Sequence, residues 1–256
     1  MFGTTIIDAY TKDEVHEIAN ALDDLCSPKD NFGWASAGIY CFWDYYTKEI
    51  YYIGLALDLT ERFKQHNGLM KIDEKCCKKK YINEYFKNKE KLGYTIFVQS
   101  PMSQPITHRN KKGFEEWLSQ GFSKEDYVGQ EGHNFIKRVE GMLLEAYKKV
   151  NGDYPKWNKI GGSKLGQKAA TEGNYEIIKS FNQVDSHALV AKSTLRELSN
   201  NSKYELYEIF LHSIRMTMLN FKVCFNESLN MHNNTDSYGW WEKITKDGYQ
   251  EKKLII

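Results

Sequence analysis

The stretch that most constrains the fold is residues 38–68, where a strand-like aromatic pattern changes to a helical one. Two segments, IYCFWDYY and IYYIGL, are rich in residues that favour strands, and the polar TKE between them indicates a turn. In the following LALDLTERFKQHNG, apolar residues recur at helical spacing, Asp58 fits an N-cap, and Asn67 with Gly68 indicates the end. The stretch therefore predicts a β-hairpin followed by a helix.

Elements on both sides extend this unit into an α+β core. A capping-box pattern, Thr11 with Glu14, starts the first predicted helix, which runs to residue 25. Downstream, KKKYINEYFKNKEKLG predicts a helix and YTIFVQS a third strand. Residues 101–131 are polar and predict an insertion with a short helical patch, and a long helix is predicted over 132–150. The predicted fold is a small three-stranded antiparallel sheet flanked by helices, with an inserted loop region and a mainly helical C-terminal extension.

The chain is predicted to have three parts. Residues 1–34 are a helical N-terminal extension, residues 35–162 the core with its insertion, and residues 163–256 a mainly helical region. In the last part, HALVAKSTLRELS and the longer SKYELYEIFLHSIRMTMLNFKVCFNESLN each predict one helix, and YGWWEKITKDGYQEKKLII predicts a small hairpin. The apolar helix near residues 204–225 is a candidate dimer interface, although burial within its own domain is the default explanation.

Composition excludes several classes of protein. The five cysteines show no CxxC or CxxH spacing, which argues against a disulfide framework and a structural zinc site. No stretch approaches ~20 apolar residues, and the N-terminal residues are acidic where a secretory signal is apolar, so we expect a cytoplasmic protein without a membrane span. The balance of 35 Lys and Arg against 34 Asp and Glu does not by itself indicate a nucleic-acid binder.

The hairpin and its helix carry three chemical groups that suit a phosphate. If the turn centres near Tyr46, Tyr40 and Tyr52 are cross-strand partners on one face. Arg62 and His66 are four residues apart and share a face of the next helix, near its start, where backbone amides favour an anion. Each group also has an ordinary structural explanation, because strand tyrosines usually pack and such a pair on a helix usually faces solvent.

The combined pattern resembles the GIY-YIG nuclease family. The tripeptide GIY at residues 38–40, eleven residues, YIG at 52–54 and then LALDLTERFKQH are similar to that family's signature. The resemblance extends to about residue 162 and implies a glutamate at the start of a helix and an asparagine after it. Glu140, followed by Leu143 and Leu144, and Asn158 fit those positions, and Glu145 is the rival carboxylate. The long gap before Glu140 departs from the family pattern and is assigned to the insertion.

The resemblance implies hydrolysis of a DNA phosphodiester with one divalent cation, Mg²⁺ or Mn²⁺, to give 5′-phosphate and 3′-hydroxyl ends. Glu140 is the implied metal ligand, since Mg²⁺ prefers hard oxygen donors. Arg62 is implied to neutralise charge on phosphorus, and Tyr40 to act as general base. His66 would then take the proton from Tyr40, Tyr52 would position water or phosphate, and Asn158 would brace the site.

Within this resemblance the sequence favours a site-specific restriction-type endonuclease that acts on double-stranded DNA, with a homodimer as the expected assembly. Residues 163–256 would then serve DNA binding or dimerisation. The alternatives are a nucleic-acid-binding module that has lost cleavage, and a homing or repair nuclease of the same family. His133 is a weaker candidate for a second metal ligand, and the basic loop HRNKK, residues 108–112, is a candidate phosphate or guanine contact.

Overall fold

The computed structural model of this chain describes residues 1–29, 32–71, 78–119, 130–183 and 187–256. Within them, four strands form one antiparallel sheet in the order β1-β4-β2-β3. The strands are β1 (Phe2–Thr11), β2 (Gly38–Asp44), β3 (Ile50–Ala56) and β4 (Lys91–Gln99). The α+β class is confirmed, but the predicted three strands are one too few.

The α-helices of the described residues lie on both faces of the sheet and beyond its β1 edge. The first five are α1 (Val15–Leu25), α2 (Leu59–His66), α3 (Lys79–Asn88), α4 (Lys111–Ser119) and α5 (Gln130–Asn151). The others are α6 (Lys164–Ala169), α7 (Asn174–Lys179), α8 (Leu195–Ser199), α9 (Ser202–Phe221), α10 (Phe225–Asn233) and α11 (Trp240–Lys246). Helix α4 confirms the helical patch of the insertion, whose residues 120–129 lie outside the described ranges.

The N-terminal part is not the helical extension that we predicted for residues 1–34. The capping box of Thr11 and Glu14 is present, but it begins only the turn into α1. Strand β1 precedes it and pairs with β4 along nearly its whole length. Every residue of β1 except Thr11 is buried, because helices cover both faces of the sheet, so the strand lacks the alternating pattern of a half-exposed strand.

Two apolar layers enclose the sheet. On one face, Tyr10, Tyr40 and Tyr94 pack with α1, α2, α3 and α8. On the other face, Ile39 and Trp43 pack with α5 and α7. Burial on this scale supplies most of the favourable free energy of folding, since each large side chain removed from water contributes roughly 1.5–3 kcal/mol. The sheet is therefore the rigid centre from which the loops and helix ends are held.

The predicted hairpin is confirmed, but its register is not the one that we predicted. Tyr40 lies opposite Gly54 and Phe42 opposite Tyr52, so the hairpin is centred one residue beyond Tyr46. The register then shifts between Phe42 and Trp43. An extra residue in one strand produces such a shift and bends the strand locally. Tyr40 and Tyr52 remain on the same face as diagonal neighbours.

The C-terminal region is mainly helical, but two of its predicted helices differ in extent from the structure and the predicted hairpin is wrong. Residues 187–194 are not helical, because this segment lies along the free edge of β1, where Thr5 exchanges backbone hydrogen bonds of 2.8 Å with residues 189 and 191. The long helix predicted over 202–230 is broken into α9 and α10 where Lys222 adopts a left-handed conformation. The predicted terminal hairpin is α11 and a 3₁₀ turn.

A buried polar cluster fastens α9 to the β1 edge. The side chains of Glu208 and Arg215 form an ion pair of 2.6 Å and are 0% and 3% exposed. Arg215 also donates to Thr4 and to two backbone carbonyls, and Glu208 accepts from Tyr249 at 2.9 Å. His212 contacts Thr4 Oγ1 through Nδ1 at 2.9 Å. We call these five residues the β1-edge cluster.

Helix α9 therefore has a partner within its own chain. Its residues Tyr207, Leu211 and Ile214 are buried against the C-terminal helices. Burial within the chain therefore explains why these residues are apolar, and they are not available as a dimer interface. None of the helices in the described residues is long and apolar enough to cross a membrane.

Candidate active site

Four elements bring the sequence-predicted side chains to one place. Tyr40 comes from β2, Tyr52 from β3, Arg62 and His66 from α2, and Glu140 from α5. The ring centroids of Tyr40 lie 5.7 Å from Tyr52 and 5.4 Å from His66, and those of Tyr52 and His66 are 6.0 Å apart. We call these five residues the site cluster. They are separated by up to a hundred residues in sequence and are united only by the sheet and the helices packed on it.

Gly54 makes room for the two phenols. A Cβ at this position would lie 2.6 Å from a ring carbon of Tyr52 and 2.8 Å from each phenol oxygen of Tyr40 and Tyr52. Those distances are well inside van der Waals contact, so any side chain here would displace one ring. The glycine of the YIG tripeptide is therefore required by the close approach of Tyr40, which it faces across the hairpin.

Helix α2 is fixed by its N-terminal cap. Asp58 accepts from the backbone N–H of Glu61 at 3.0 Å, as predicted. Arg109 from the basic loop pairs with Asp58 at 3.1 Å and also contacts Asp23. His108 of the same loop lies 2.9 Å from Glu61. These two loop residues thus fasten α2 to its neighbours, and a contact of the loop with phosphate or guanine stays a prediction.

His66 lies at the other end of α2 from where we predicted it. It is the last residue of this eight-residue helix and is fully buried. Its Nδ1 accepts from the backbone N–H of Lys78 at 2.8 Å, and its Nε2 lies 2.7 Å from the phenol oxygen of Tyr40. Because a backbone N–H can only donate, the neutral ring carries its proton on Nε2 and donates it to Tyr40. Burial, with Arg62 and Lys78, lowers the pKa of His66 to about 2.

The phenol oxygen of Tyr40 is surrounded by donors. It accepts from His66 Nε2 and from Arg62 Nε, the latter at 3.2 Å. Arg62 also hydrogen-bonds to Tyr52, so its guanidinium spans both phenols. Burial, followed by the neighbouring Tyr52, raises the pKa of Tyr40 well above its ordinary value, while Arg62 opposes the shift. Both donors would stabilise a phenolate once the proton had left.

Glu140 is the carboxylate that reaches the cluster. Its Oε1 accepts from the backbone N–H of Leu55 at 3.2 Å, and no partner within the described residues occupies its Oε2. Burial raises the pKa of Glu140 to about 7, although the hydrogen bond from Leu55 and the charges of Arg62 and Lys137 oppose the shift. A carboxyl group whose charge is so poorly solvated gains from a cation.

The segment just before α6 keeps one side of Glu140 uncrowded. Gly162 has a φ of 69°, which favours glycine, and a Cβ there would lie 3.1 Å from Glu140 Oε2. The rival carboxylate, Glu145, accepts instead from the hydroxyl of Tyr154 at 3.4 Å. Of the two glutamates, the structure brings Glu140 and not Glu145 to the phenols and Arg62.

Asn158 binds the outer edge of β3. Its Oδ1 accepts from the backbone N–H of Ile53 at 3.0 Å, and its Nδ2 donates to the carbonyl of the same residue at 2.8 Å. Next to it, the N–H of Trp157 donates to the carbonyl of Tyr51 at 2.8 Å. Together with the bond from Leu55 to Glu140, these contacts occupy the edge of β3 beside Tyr52. The side chain thus holds the strand beside Tyr52.

The side chains of the site suit a hard cation that is held by one carboxylate better than a metal ion that is held by several protein ligands. Among the described residues there is no group of three or more His, Cys, Asp and Glu side chains that could hold a metal ion. Glu140 offers a carboxylate oxygen that is not occupied by a protein donor, which fits Mg²⁺ or Mn²⁺ whose other ligands are water and phosphate. His133 shows no contact with Glu140, and its pKa is lowered by burial and by Lys137.

Lys78 is a site residue that sequence reasoning missed. Its backbone N–H sets the tautomer of His66, and its Nζ lies 4.5 Å from the ring centroid of Tyr52 and donates to the carbonyl of Trp157 at 2.7 Å. Its position in a lysine-rich stretch was the available signal, but a backbone contact with a side chain twelve residues earlier has no sequence pattern. Comparisons of the chain with protein families, with curated proteins and with solved structures found no match.

Proposed function

We propose that this chain is a metal-dependent DNA endonuclease of the GIY-YIG kind, which hydrolyses phosphodiester bonds to leave 5′-phosphate and 3′-hydroxyl ends. The observation that carries the proposal is the convergence of Tyr40, Tyr52, Arg62, His66 and Glu140 on one partly open cluster. Two phenols, a guanidinium, a neutral imidazole and a poorly solvated carboxylate match the needs of phosphodiester hydrolysis. Site-specific cleavage of double-stranded DNA by a homodimer is the form of this activity that we favour.

Arg62 is proposed to bind the scissile phosphate. The planar guanidinium carries five N–H donors in a fork that matches phosphate oxygens. In the structure its Nε donates to Tyr40 and its Nη1 to Gln65 Oε1 at 3.0 Å, which holds the group at the site cluster. The pKa of Arg62 is raised, because contacts with Tyr40 and Tyr52 outweigh burial, and its charge is therefore constant over the working range of pH. A fixed positive charge at the phosphate is worth most where negative charge develops in the transition state.

Tyr40 is proposed to accept a proton from the attacking water, directly or through Tyr52. For this it must first lose its own proton, which we propose passes to bulk solvent through its hydrogen bond with the half-buried Tyr52. The donors His66 Nε2–H and Arg62 Nε–H favour the resulting phenolate. The sequence-based role of His66 as the next proton acceptor changes, since its Nε2 already carries a proton. We propose instead that His66 stabilises the phenolate by donation and that Lys78 N–H keeps the ring in that tautomer.

Glu140 is proposed to hold the divalent cation. When bound, Mg²⁺ or Mn²⁺ would supply positive charge to the phosphate and the leaving 3′ oxygen. Glu140 itself is placed by Leu55 N–H and by its position on α5, so its carboxylate keeps one orientation relative to Arg62 and Tyr52. The segment 156–168 beside it contains four lysines and no carboxylate, which favours a polyanionic substrate on this side of the molecule.

The direct test is nicking of supercoiled plasmid DNA by the purified chain with Mg²⁺, with Mn²⁺ and with EDTA. We expect cleavage only with a divalent cation, and we expect Glu140→Gln to abolish it. Glu145→Gln is the matched control, since it makes the same change on the same helix outside the cluster. Sequencing the cut ends checks the proposed end chemistry and the recognition site. Absence of metal-dependent cleavage of every DNA tested would overturn the proposal.

The second candidate is a nucleic-acid-binding module without cleavage. One observation favours it, namely that burial keeps the pKa of Tyr40 well above its ordinary value and so keeps the phenol protonated in the free protein. The two candidates differ in a single measurement. A binding module would retain DNA affinity in the same plasmid assay while leaving the DNA intact with either metal.

A further inference from the structure

A column of aromatic rings leads from the sheet to the surface beside the site cluster. Phe42 lies 6.3 Å from Trp157, and Trp157 lies 5.7 Å from Tyr81 with an interplanar angle of 27°. Tyr51 adds a contact of 4.9 Å to Trp157. The inner rings are buried, but Tyr81 is 37% exposed, so the column ends in a ring that can stack with a further planar group.

The column is rigid and is joined to the site cluster by Lys78. The backbone N–H of Trp157 donates to the backbone carbonyl of Tyr51. The backbone carbonyl of Trp157 accepts from Lys78 Nζ at 2.7 Å. That Nζ lies 4.5 Å from the ring centroid of Tyr52 and 5.6 Å from that of Tyr81. One ammonium thus lies between a site-cluster phenol and the exposed end of the column. No reorganisation is needed to present the ring and the positive charge together.

A shallow groove of about 250 Å³ runs along the column between α3 and the turn that contains Trp157. Two lysines and one glutamate, Lys89, Lys156 and Glu84, add charge to its aromatic walls. Lys89 pairs with Asp44, and Lys156 with Glu49 at 3.3 Å. Lys156 Nζ also lies 3.3 Å from the ring centroid of Tyr51. Aromatic faces with lysines between them are the pattern by which proteins bind unpaired bases and their phosphates.

Resting on the function proposed above, we propose that this groove receives one unpaired nucleotide of the DNA beside the scissile phosphate, with its base stacked on Tyr81 and its phosphate near Lys78. In duplex DNA that nucleotide has to leave the helix, which costs a few kcal/mol. A substrate in which it is already unpaired avoids this penalty. Within double-stranded DNA, the preferred substrate class is therefore a duplex with one bulged nucleotide next to the cut, ahead of a uniform duplex.

The test is DNA binding by the Glu140→Gln protein in EDTA, measured by fluorescence anisotropy with a perfect duplex and with the same duplex carrying one bulged nucleotide. We expect tighter binding of the bulged duplex, by roughly 5- to 150-fold if one base stacks on the ring. A second substitution, Tyr81→Ala, should remove that preference, whereas Tyr81→Phe should keep it. Equal affinity for the two duplexes, or a preference that survives Tyr81→Ala, would overturn the proposal, as would failure to bind either DNA.

A second exposed tyrosine provides a matched control for Tyr81→Ala. Tyr238 is also exposed, at 73%, with its ring 6.2 Å from Trp240, so Tyr238→Ala removes a comparable aromatic side chain far along the chain. Tyr238→Ala should leave the preference for the bulged duplex intact.

A 5-iododeoxyuridine at the bulge should photo-crosslink to Tyr81 or Trp157, and crosslinks that are confined to other segments would contradict the proposed stacking.

These outcomes separate this proposal from the proposed nuclease activity. Bulge preference that depends on Tyr81, without metal-dependent nicking by the unsubstituted chain, would leave the groove assignment standing and remove the nuclease. Metal-dependent nicking without any Tyr81-dependent preference for the bulged duplex would support the nuclease and overturn the groove assignment. Tighter binding of an RNA strand than of DNA with the same sequence would overturn the assignment to a DNA nucleotide.

Discussion

The site cluster and the β1-edge cluster are built from the same residue types, yet they differ in how completely their polar groups are satisfied. Each has one arginine, one histidine, one glutamate and at least one tyrosine. In the β1-edge cluster, Glu208 and Arg215 bind each other at 2.6 Å and have side chains that are 0% and 3% exposed. In the site cluster, Glu140 is only partly buried, and its one hydrogen-bond partner among the described residues is the backbone N–H of Leu55.

The difference teaches that residue types alone do not mark a functional site. His212 Nε2 is buried and has no partner among the described residues. The charged side chains of the β1-edge cluster are held by several bonds each, and such a network fixes one packing arrangement. Glu140 instead carries a pKa raised to about 7 by burial. A group that is held in an unfavourable state and is still accessible is a better candidate for chemistry.

The largest expected effect is the loss of stability in Glu208→Ala. It would leave the Arg215 guanidinium buried without its carboxylate, and breaking a buried ion pair in this way typically costs about 3–5 kcal/mol. Urea denaturation measures the change in the free energy of unfolding. Glu140→Ala is the matched truncation in the other cluster and should lower stability far less. Equal losses would remove the distinction between the two clusters.

Next in size is the loss of activity in Arg62→Ala. Removing one electrostatic stabiliser of a transition state typically lowers the rate about 10²- to 10³-fold. Initial rates of plasmid nicking measure this loss, and urea denaturation should show a much smaller change than for Glu208→Ala. Arg138→Ala, which removes an exposed arginine from α5, is the control and should retain activity. If the Arg62→Ala protein cleaved at the normal rate, the active site would have to lie outside the site cluster.

A smaller effect is expected for Glu140→Gln in EDTA, which should raise the free energy of unfolding, whereas Glu208→Ala should lower it. The folded-state pKa of about 7 lies above the ordinary value of a carboxyl group, so the unfolded chain loses this proton first and stability falls as pH rises from about 4.5 through 7. The glutamine has no proton to lose. At pH 8 we expect it to be more stable than the unsubstituted chain, by on the order of 1–3 kcal/mol, with a smaller difference at pH 5. Thermal unfolding at both pH values measures this, and a destabilised variant at pH 8 would contradict it.

The subtlest comparison is between the two buried histidines. Burial, with nearby positive charges, lowers the pKa of His66 to about 2 and that of His212 to about 3, so neither ring should titrate between pH 5 and 8. Nitrogen-15 NMR of the imidazole groups reports both charge and tautomer. We expect His66 to carry its proton on Nε2, as the bond from Lys78 N–H requires. A proton on Nδ1 would restore the proton relay from Tyr40 to His66.

Much of the core was predictable because its signals are local. The hairpin, the Asp58 cap and the long helix α5 each depend on a run of neighbouring residues, and the structure confirms them. The gathering of Glu140 with Arg62 was predicted through the family resemblance, since no local pattern links two helices so far apart in sequence. The proposed roles of these residues remain predictions.

The missed features depend on contacts between distant segments. Strand β1 is defined by pairing with β4, some ninety residues later, and its burial on both faces hides any alternation. The partner of Tyr40 is Gly54, two residues from the predicted Tyr52, and the irregularity between Phe42 and Trp43 accounts for one of those two residues. The break after α9 is at Lys222, a residue type that gives no turn signal.

The side chains that occupy the outer edge of β3 also have a consequence for how molecules of this protein meet one another. An edge strand with unpaired N–H and C=O groups invites a strand from another molecule. Asn158 and Glu140 occupy the backbone N–H groups of Ile53 and Leu55. The same side chains that brace and equip the site thus guard against intermolecular sheet growth, and their replacement should be watched for aggregation as closely as for lost activity.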